Sequence, residues 1–238
     1  TKKRISDAQS RAREFEGSNY RNSLEYELVK ARSVVHFAQL PRQAIRQFDQ
    51  NLRRAKSDRE ILIAEYGLAL AHSKNNDRED ALQFMRNALN KDKENLLIQI
   101  GILEVHIAAE NYFEAEALAV SLLQLNPNNY PISMLYNQIL MNKGDYEKGE
   151  EVLRTLTLKR PNDPQIWYWL AEVQGLDQNI IGLHLSRAEY FYLTGSYETS
   201  LKHLRMALEL VGNNFQLTET IHNKIERSHK SIEALKST

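Results

Sequence analysis

A spacing of 34 residues constrains this chain more than any other feature. Two proline clusters, Asn126-Pro127-Asn128-Asn129-Tyr130-Pro131 and Lys159-Arg160-Pro161-Asn162-Asp163-Pro164, place Pro127 and Pro161 34 residues apart. The same step links Asn75-Asn76-Asp77-Arg78-Glu79-Asp80-Ala81, Ala109-Glu110-Asn111-Tyr112-Phe113-Glu114-Ala115 and Lys143-Gly144-Asp145-Tyr146-Glu147-Lys148-Gly149. It also links Leu68, Ile102 and Tyr136, and then Ala88, Leu122 and Leu156. A fixed period of this length marks a chain built by stacking one supersecondary unit.

Between these marks the apolar residues recur at three and four, as in Ile61, Ala64, Leu68 and Ala71 and then Ala81, Leu82, Met85, Ala88 and Leu89. That is the helical period, so each unit is two helices with one buried face apiece. With only 9 glycines and 5 prolines in 238 residues, the chain lacks the turn residues a strand-rich fold needs. The unit resembles the tetratricopeptide repeat (TPR). Gly144-Asp145-Tyr146 and Gly195-Ser196-Tyr197 carry the likeness, together with the unit ends Leu125-Asn126-Pro127-Asn128-Asn129 and Leu158-Lys159-Arg160-Pro161-Asn162. The resemblance implies an all-α fold, a right-handed TPR superhelix (α-solenoid) of about five helix–turn–helix units. A pair at 25–37 and 42–55 precedes the regular units, with Pro41 opening its second helix at a position proline favours. After helix 165–174 the register is expected to break at Gly175-Leu176-Asp177-Gln178-Asn179, which makes the last unit irregular. A final helix from Phe215 to about Leu235, with a narrow stripe of Leu217, Ile221, Ile225, Ile232 and Leu235, is expected to cap the array.

In such a repeat the first helix lines the concave surface. The repeat position therefore proposes Tyr66, Leu70, Ile100, Glu104, Met134, Gln138, Met141, Tyr168, Trp169 and Glu172 as partner-binding residues. The face is apolar and aromatic, and Lys30 and Lys74 alone do not make the cluster of cations that holds a C-terminal carboxylate. Met134, Met141, Tyr168 and Trp169 suit an adaptable apolar partner, such as an extended or unfolded segment. Packing between repeats competes with that role at each of these positions.

The remaining chemistry is exclusion. Lys+Arg and Asp+Glu balance at 31 each, so the chain lacks the basic excess that nucleic acid or an acidic lipid surface requires. Zero cysteines rule out disulfides, thiolate metal sites and a cysteine nucleophile. There is no run of about 18 apolar residues, no His-Glu-x-x-His, no glycine-rich phosphate loop and no Gly-x-Ser-x-Gly. His72 and His106 sit at equivalent repeat positions and are read as packing residues. His222, Glu226 and His229 share a face of the last helix, but two histidines and one carboxylate on an exposed helix arise readily by chance. No catalytic residue, metal ligand or cofactor is expected in this chain.

Two further segments carry a finer likeness. Thr1-Lys2-Lys3-Arg4-Ile5-Ser6-Asp7-Ala8, followed by Arg11-Ala12, is similar to the tail of a bacterial periplasmic zinc metalloprotease domain. Ala31-Arg32-Ser33-Val34-Val35-His36-Phe37 and Arg187-Ala188-Glu189-Tyr190-Phe191-Tyr192-Leu193-Thr194-Gly195-Ser196-Tyr197 resemble the C-terminal half of the β-barrel assembly-enhancing protease family. The resemblance implies residues 1–20 as tail and linker from an upstream protease domain, and residues 21–238 as the TPR array with its capping helix. It also implies a periplasmic location and a non-catalytic role for this chain. The array would dock outer-membrane assembly partners and present outer-membrane β-barrel clients to a zinc metalloendopeptidase whose zinc belongs to the upstream domain. The chain begins at Thr1 without Met or a signal-peptide pattern, so it is expected to be a piece of a longer protein. A stand-alone TPR adaptor in envelope assembly or secretion is the alternative.

Overall fold

A computed structural model describes residues 23–236, which form twelve helices; among these residues there is no strand. The helices are α1 (Leu24–Phe37), α2 (Pro41–Arg54), α3 (Asp58–Lys74), α4 (Arg78–Lys91), α5 (Leu96–Ala108), α6 (Tyr112–Leu125), α7 (Tyr130–Lys143), α8 (Tyr146–Lys159), α9 (Pro164–Leu176), α10 (Ile180–Leu193), α11 (Tyr197–Leu210) and α12 (Phe215–Lys236). The expected upstream tail lies outside the described residues. No helix among them is long and apolar enough to cross a membrane.

Local chemistry sets the boundaries. Ser23, Ser57, Asn129 and Asn179 each accept a hydrogen bond from the backbone N–H three residues on, which satisfies a donor that a helix start leaves open. Pro41 and Pro164 occupy the first position of α2 and α9, where the missing N–H costs nothing. Gly144, at φ 79°, ends α7 in the left-handed conformation and lets the Asp145 N–H return to the Leu140 carbonyl at 2.9 Å.

The chain divides into two compact units, one ending at Asn111 and one starting at Tyr112. In the first, α3 packs on α2, α4 and α1, and its buried face runs through Leu62, Ala64, Tyr66, Leu68, Ala69 and Ala71. In the second, α7 to α12 pack successively, around clusters such as Leu153, Leu156, Ile166, Leu170 and Val173. The 34-residue step survives as burial: Leu68, Ile102, Tyr136, Leu170 and Leu204 are all core residues.

The expected break at Gly175–Asn179 is not a break in helix register. α9 runs on through Gly175 to Leu176, and α10 starts at Ile180, 34 residues after α8 starts at Tyr146. What slips is the marker pattern: Gly195-Ser196-Tyr197 follows α10, whereas Gly144-Asp145-Tyr146 follows a first helix. So α10 has the second-helix place and a first-helix sequence. It manages both because it carries small residues on two faces. Ser186 donates to buried Gln174 of α9 at 2.7 Å, and the Ala188 carbonyl accepts from Ser200 of α11 at 2.8 Å. Gln174 in turn donates to Glu150 of α8 at 2.9 Å, so a satisfied polar chain crosses three helices.

The last helix caps the second unit as expected, through Ile221, Leu217 and Ile225 against Ala188, Leu204 and Ala207. It is also pinned by charge. Glu189 of α10, 6% exposed, pairs with Lys224 and accepts two hydrogen bonds from Arg227 at 2.8 and 2.9 Å. Burial pushes the Glu189 carboxyl up, and the two cations more than offset it, so its pKa lies below the usual carboxylate range.

Candidate protein-docking grooves

The ten residues proposed from the repeat position fall into three groups. Tyr66 and Ile100 are core, at 0% and 7% exposure, and offer no surface to a partner. The cause is visible at Gly101, where an added Cβ would lie 2.8 Å from Tyr66 Cε2 and 2.9 Å from Met85 Cε. Without a side chain at Gly101, the Tyr66 ring sinks between α3 and α5. At the matching step in the second unit, Met134 meets a bulky Trp169 in place of a glycine and stays half-buried.

The second group is polar and already paired. Arg32 of α1 donates to the Tyr66 hydroxyl at 2.7 Å and pairs with Glu104 of α5. Burial works against the Arg32 charge, but Glu104 and the Tyr66 hydroxyl more than offset it and raise its pKa. Burial likewise pushes the Tyr66 phenol up. Glu172 of α9 pairs with Arg187 of α10, whose guanidinium lies 5.4 Å from the centre of the Tyr168 ring. Tyr168 also meets Trp169 and Tyr190 edge-on, at 5.4 and 5.7 Å. So Glu104, Glu172 and Tyr168 belong to knots that hold neighbouring helices together. Repeat position did not point to Arg32 and Arg187; the signal for them was an arginine in mid-helix among apolar neighbours.

The third group lines open space. In the second unit Met134, Gln138, Met141 and Trp169 meet, with Leu135 and Leu176, around a cavity of about 480 Å³. Met134, Met141 and Trp169 also rest on the core of Leu153, Ile166 and Leu170, so the apolar wall has a rigid backing. Leu176, half exposed, extends it to the end of α9. In the first unit Leu70 lines a separate cavity of about 560 Å³ with Val29, Phe37 and Leu97. Phe37 there is 79% exposed.

Among the described residues, neither groove offers a free cation to a carboxylate. Lys74 Nζ is engaged by the carbonyls of Val35 and His36, at 2.9 Å each, where it closes the C-terminal end of α1. Lys30 pairs with Glu27. His72 has the packing role read from the sequence, stacked on Phe84 at 5.5 Å with its Nδ1 2.9 Å from Asp77. On α12, Glu226 pairs with Lys230 at 2.6 Å, and among the described residues no three His, Cys, Asp or Glu side chains gather as a metal site.

The chain matches the tetratricopeptide repeat family model over residues 106–173. No curated protein is significantly similar to it in sequence. Among solved structures, residues 41 to the end of MamA from Desulfovibrio magneticus RS-1 superpose with a TM-score of 0.51 at 14% identity, covering 76% of this chain and 98% of that one. A tetratricopeptide repeat protein from Parabacteroides merdae gives 0.52 at 15% identity, covering 94% and 89%. YrrB, described as a TPR protein with an unusual peptide-binding site, gives 0.52 at 15% identity, covering 80% and 95%. At these identities the likeness is one of fold: the chain has the all-α fold of a TPR solenoid, and the family model matches its sequence from α5 to α9.

Proposed function

We propose that the chain is a non-catalytic protein-interaction scaffold that holds an extended, apolar polypeptide in the groove of Met134, Met141, Trp169 and Leu176. The observation that carries this reading is that an apolar cavity of about 480 Å³ stands open while the nearby charges of Glu172 and Arg187 are spent on each other. Such a site recognises shape and apolar surface, and two flexible methionines let it accept more than one sequence. Fluorescence anisotropy with labelled apolar peptides tests it. Trp169→Ala and Met141→Ala should each weaken binding by about tenfold, the loss of one anchor of about 1.4 kcal/mol. Binding unchanged in both variants sinks the assignment.

The finer reading rests on the residues near Thr1 and on the segments 31–37 and 187–197. On it, the scaffold belongs to a periplasmic zinc metalloendopeptidase resembling the β-barrel assembly-enhancing protease family. It docks assembly partners and unfolded or misassembled outer-membrane proteins for proteolysis or chaperoning. The coding sequence upstream of Thr1 decides this: a signal peptide and a His-Glu-x-x-His motif support it, and an initiator Met near Thr1 favours the stand-alone adaptor.

A further inference from the structure

One pair of side chains away from the grooves is placed for chemistry that the scaffold does not need. His184 of α10 and His203 of α11 bring their Nδ1 atoms to 3.0 Å, with ring centres 5.3 Å apart and planes tilted by 39°. Phe191 stacks on His203 at 5.4 Å with the planes 10° apart and backs that ring. Both histidines are half-buried. With no ion present, one Nδ1–H donates to the lone pair of the other Nδ1.

We propose that His184 and His203 form a two-imidazole site for a divalent transition metal of tetragonal preference, Cu²⁺ or Ni²⁺. A metal–nitrogen bond of about 2.0–2.1 Å across this 3.0 Å chord gives a nitrogen–metal–nitrogen angle of about 95°. That is the right angle of neighbouring ligands in a tetragonal or octahedral shell, and it is narrower than a tetrahedral zinc site prefers. No net proton has to leave. The donor ring moves its hydrogen from Nδ1 to Nε2, and both rings turn until their lone pairs meet at the ion, off the line joining the two nitrogens. Water completes the shell. The nearby cation, Arg187, is neutralised by Glu172. The chain has no cysteine to compete for a soft ion.

The test is calorimetric titration of the full chain with Cu²⁺ and with Ni²⁺, read together with the nitrogen hyperfine splitting of the copper signal. We expect one ion per chain, two equatorial imidazoles and a melting temperature raised by the bound ion. Even an outer-shell substitution weakens a metal site by about 10–100-fold, so His184→Gln or His203→Gln should remove this binding step and the thermal shift together. The double variant of His222 and His229 to Gln should keep both. Circular dichroism on each variant separates lost metal from lost fold, and Asn at the same positions serves if Gln unfolds the chain. Three results overturn the proposal: no ion bound by the wild-type chain, binding that survives loss of both His184 and His203, or Zn²⁺ bound more tightly than Ni²⁺.

Discussion

Asn137 of α7 fills the space that Gly149 of α8 leaves open: a Cβ built on Gly149 would stand 3.1 Å from Asn137 Oδ1. Repeats of this kind place small residues on both sides of the crossing, as Ala69 and Ala81 do in the first unit, both fully buried. Here the volume is redistributed, more on the first helix and less on the second. Gly149→Ala should therefore cost stability despite its better helix propensity. Overpacking of about 1–3 kcal/mol outweighs a gain of about 1 kcal/mol. In a denaturant-melt double-mutant cycle, Asn137→Ala should recover most of that loss. Additive behaviour of the two changes would show that they do not share the space.

The contact of Tyr66 with Gly101 predicts a second coupled pair. Gly101→Ala pushes a methyl to within 3 Å of the Tyr66 and Met85 side chains and should lower stability by about 1–2 kcal/mol. Tyr66→Ala should cost about 3–5 kcal/mol, as for any large aromatic lost from a core, while peptide affinity in the second unit's groove stays unchanged. A loss of binding without a loss of stability would restore Tyr66 to a docking role.

Glu189 makes the closure of the second unit sensitive to acid. Its pKa is depressed in the folded state, so the stability it contributes is complete above its unfolded value near pH 4 and drains away as pH falls through the lower, folded value. Hydrogen exchange of α12 should accelerate over that window before the rest of the second unit opens. Glu189→Gln should cost about 2 kcal/mol at neutral pH, the worth of a charge-assisted hydrogen bond, and flatten the pH dependence. An unchanged acid profile in the variant would mean that another carboxylate governs α12.

Arg32 ties α1 to α3 and α5 through Tyr66 and Glu104. Arg32→Met keeps the apolar stem and removes the charge. It leaves the Glu104 carboxylate, about 30% exposed, free to find water, so the loss should stay near 1–2 kcal/mol. Proteolysis within α1 measures it; a loss above the whole-domain scale would make this knot a folding requirement.

Most of the architecture was legible because stacking copies one pattern. Leu68, Ile102 and Tyr136 announced the core by spacing alone, and Pro41 and Gly144 announced helix ends by backbone chemistry. The groove was only half legible, because repeat position fixes where a Cα points and not how deep its side chain sinks. Depth depends on a residue one repeat away: Gly101 lets Tyr66 in, and Trp169 keeps Met134 out. The register at Ile180 was hidden for a related reason. First and second helices are nearly equal in length here, so sequence markers shift by one helix while the coils keep their beat.

That shift has a mechanical result for the end of the chain. Since α10 grips α9 with Ser186, α11 with Ala188 and α12 with Glu189, no seam there separates one repeat from the next. Arrays of identical modules can fray from an end one module at a time. While Glu189 is ionised, the last four coils of this chain share a common axle, and a pull on any of them should release all four in a single step.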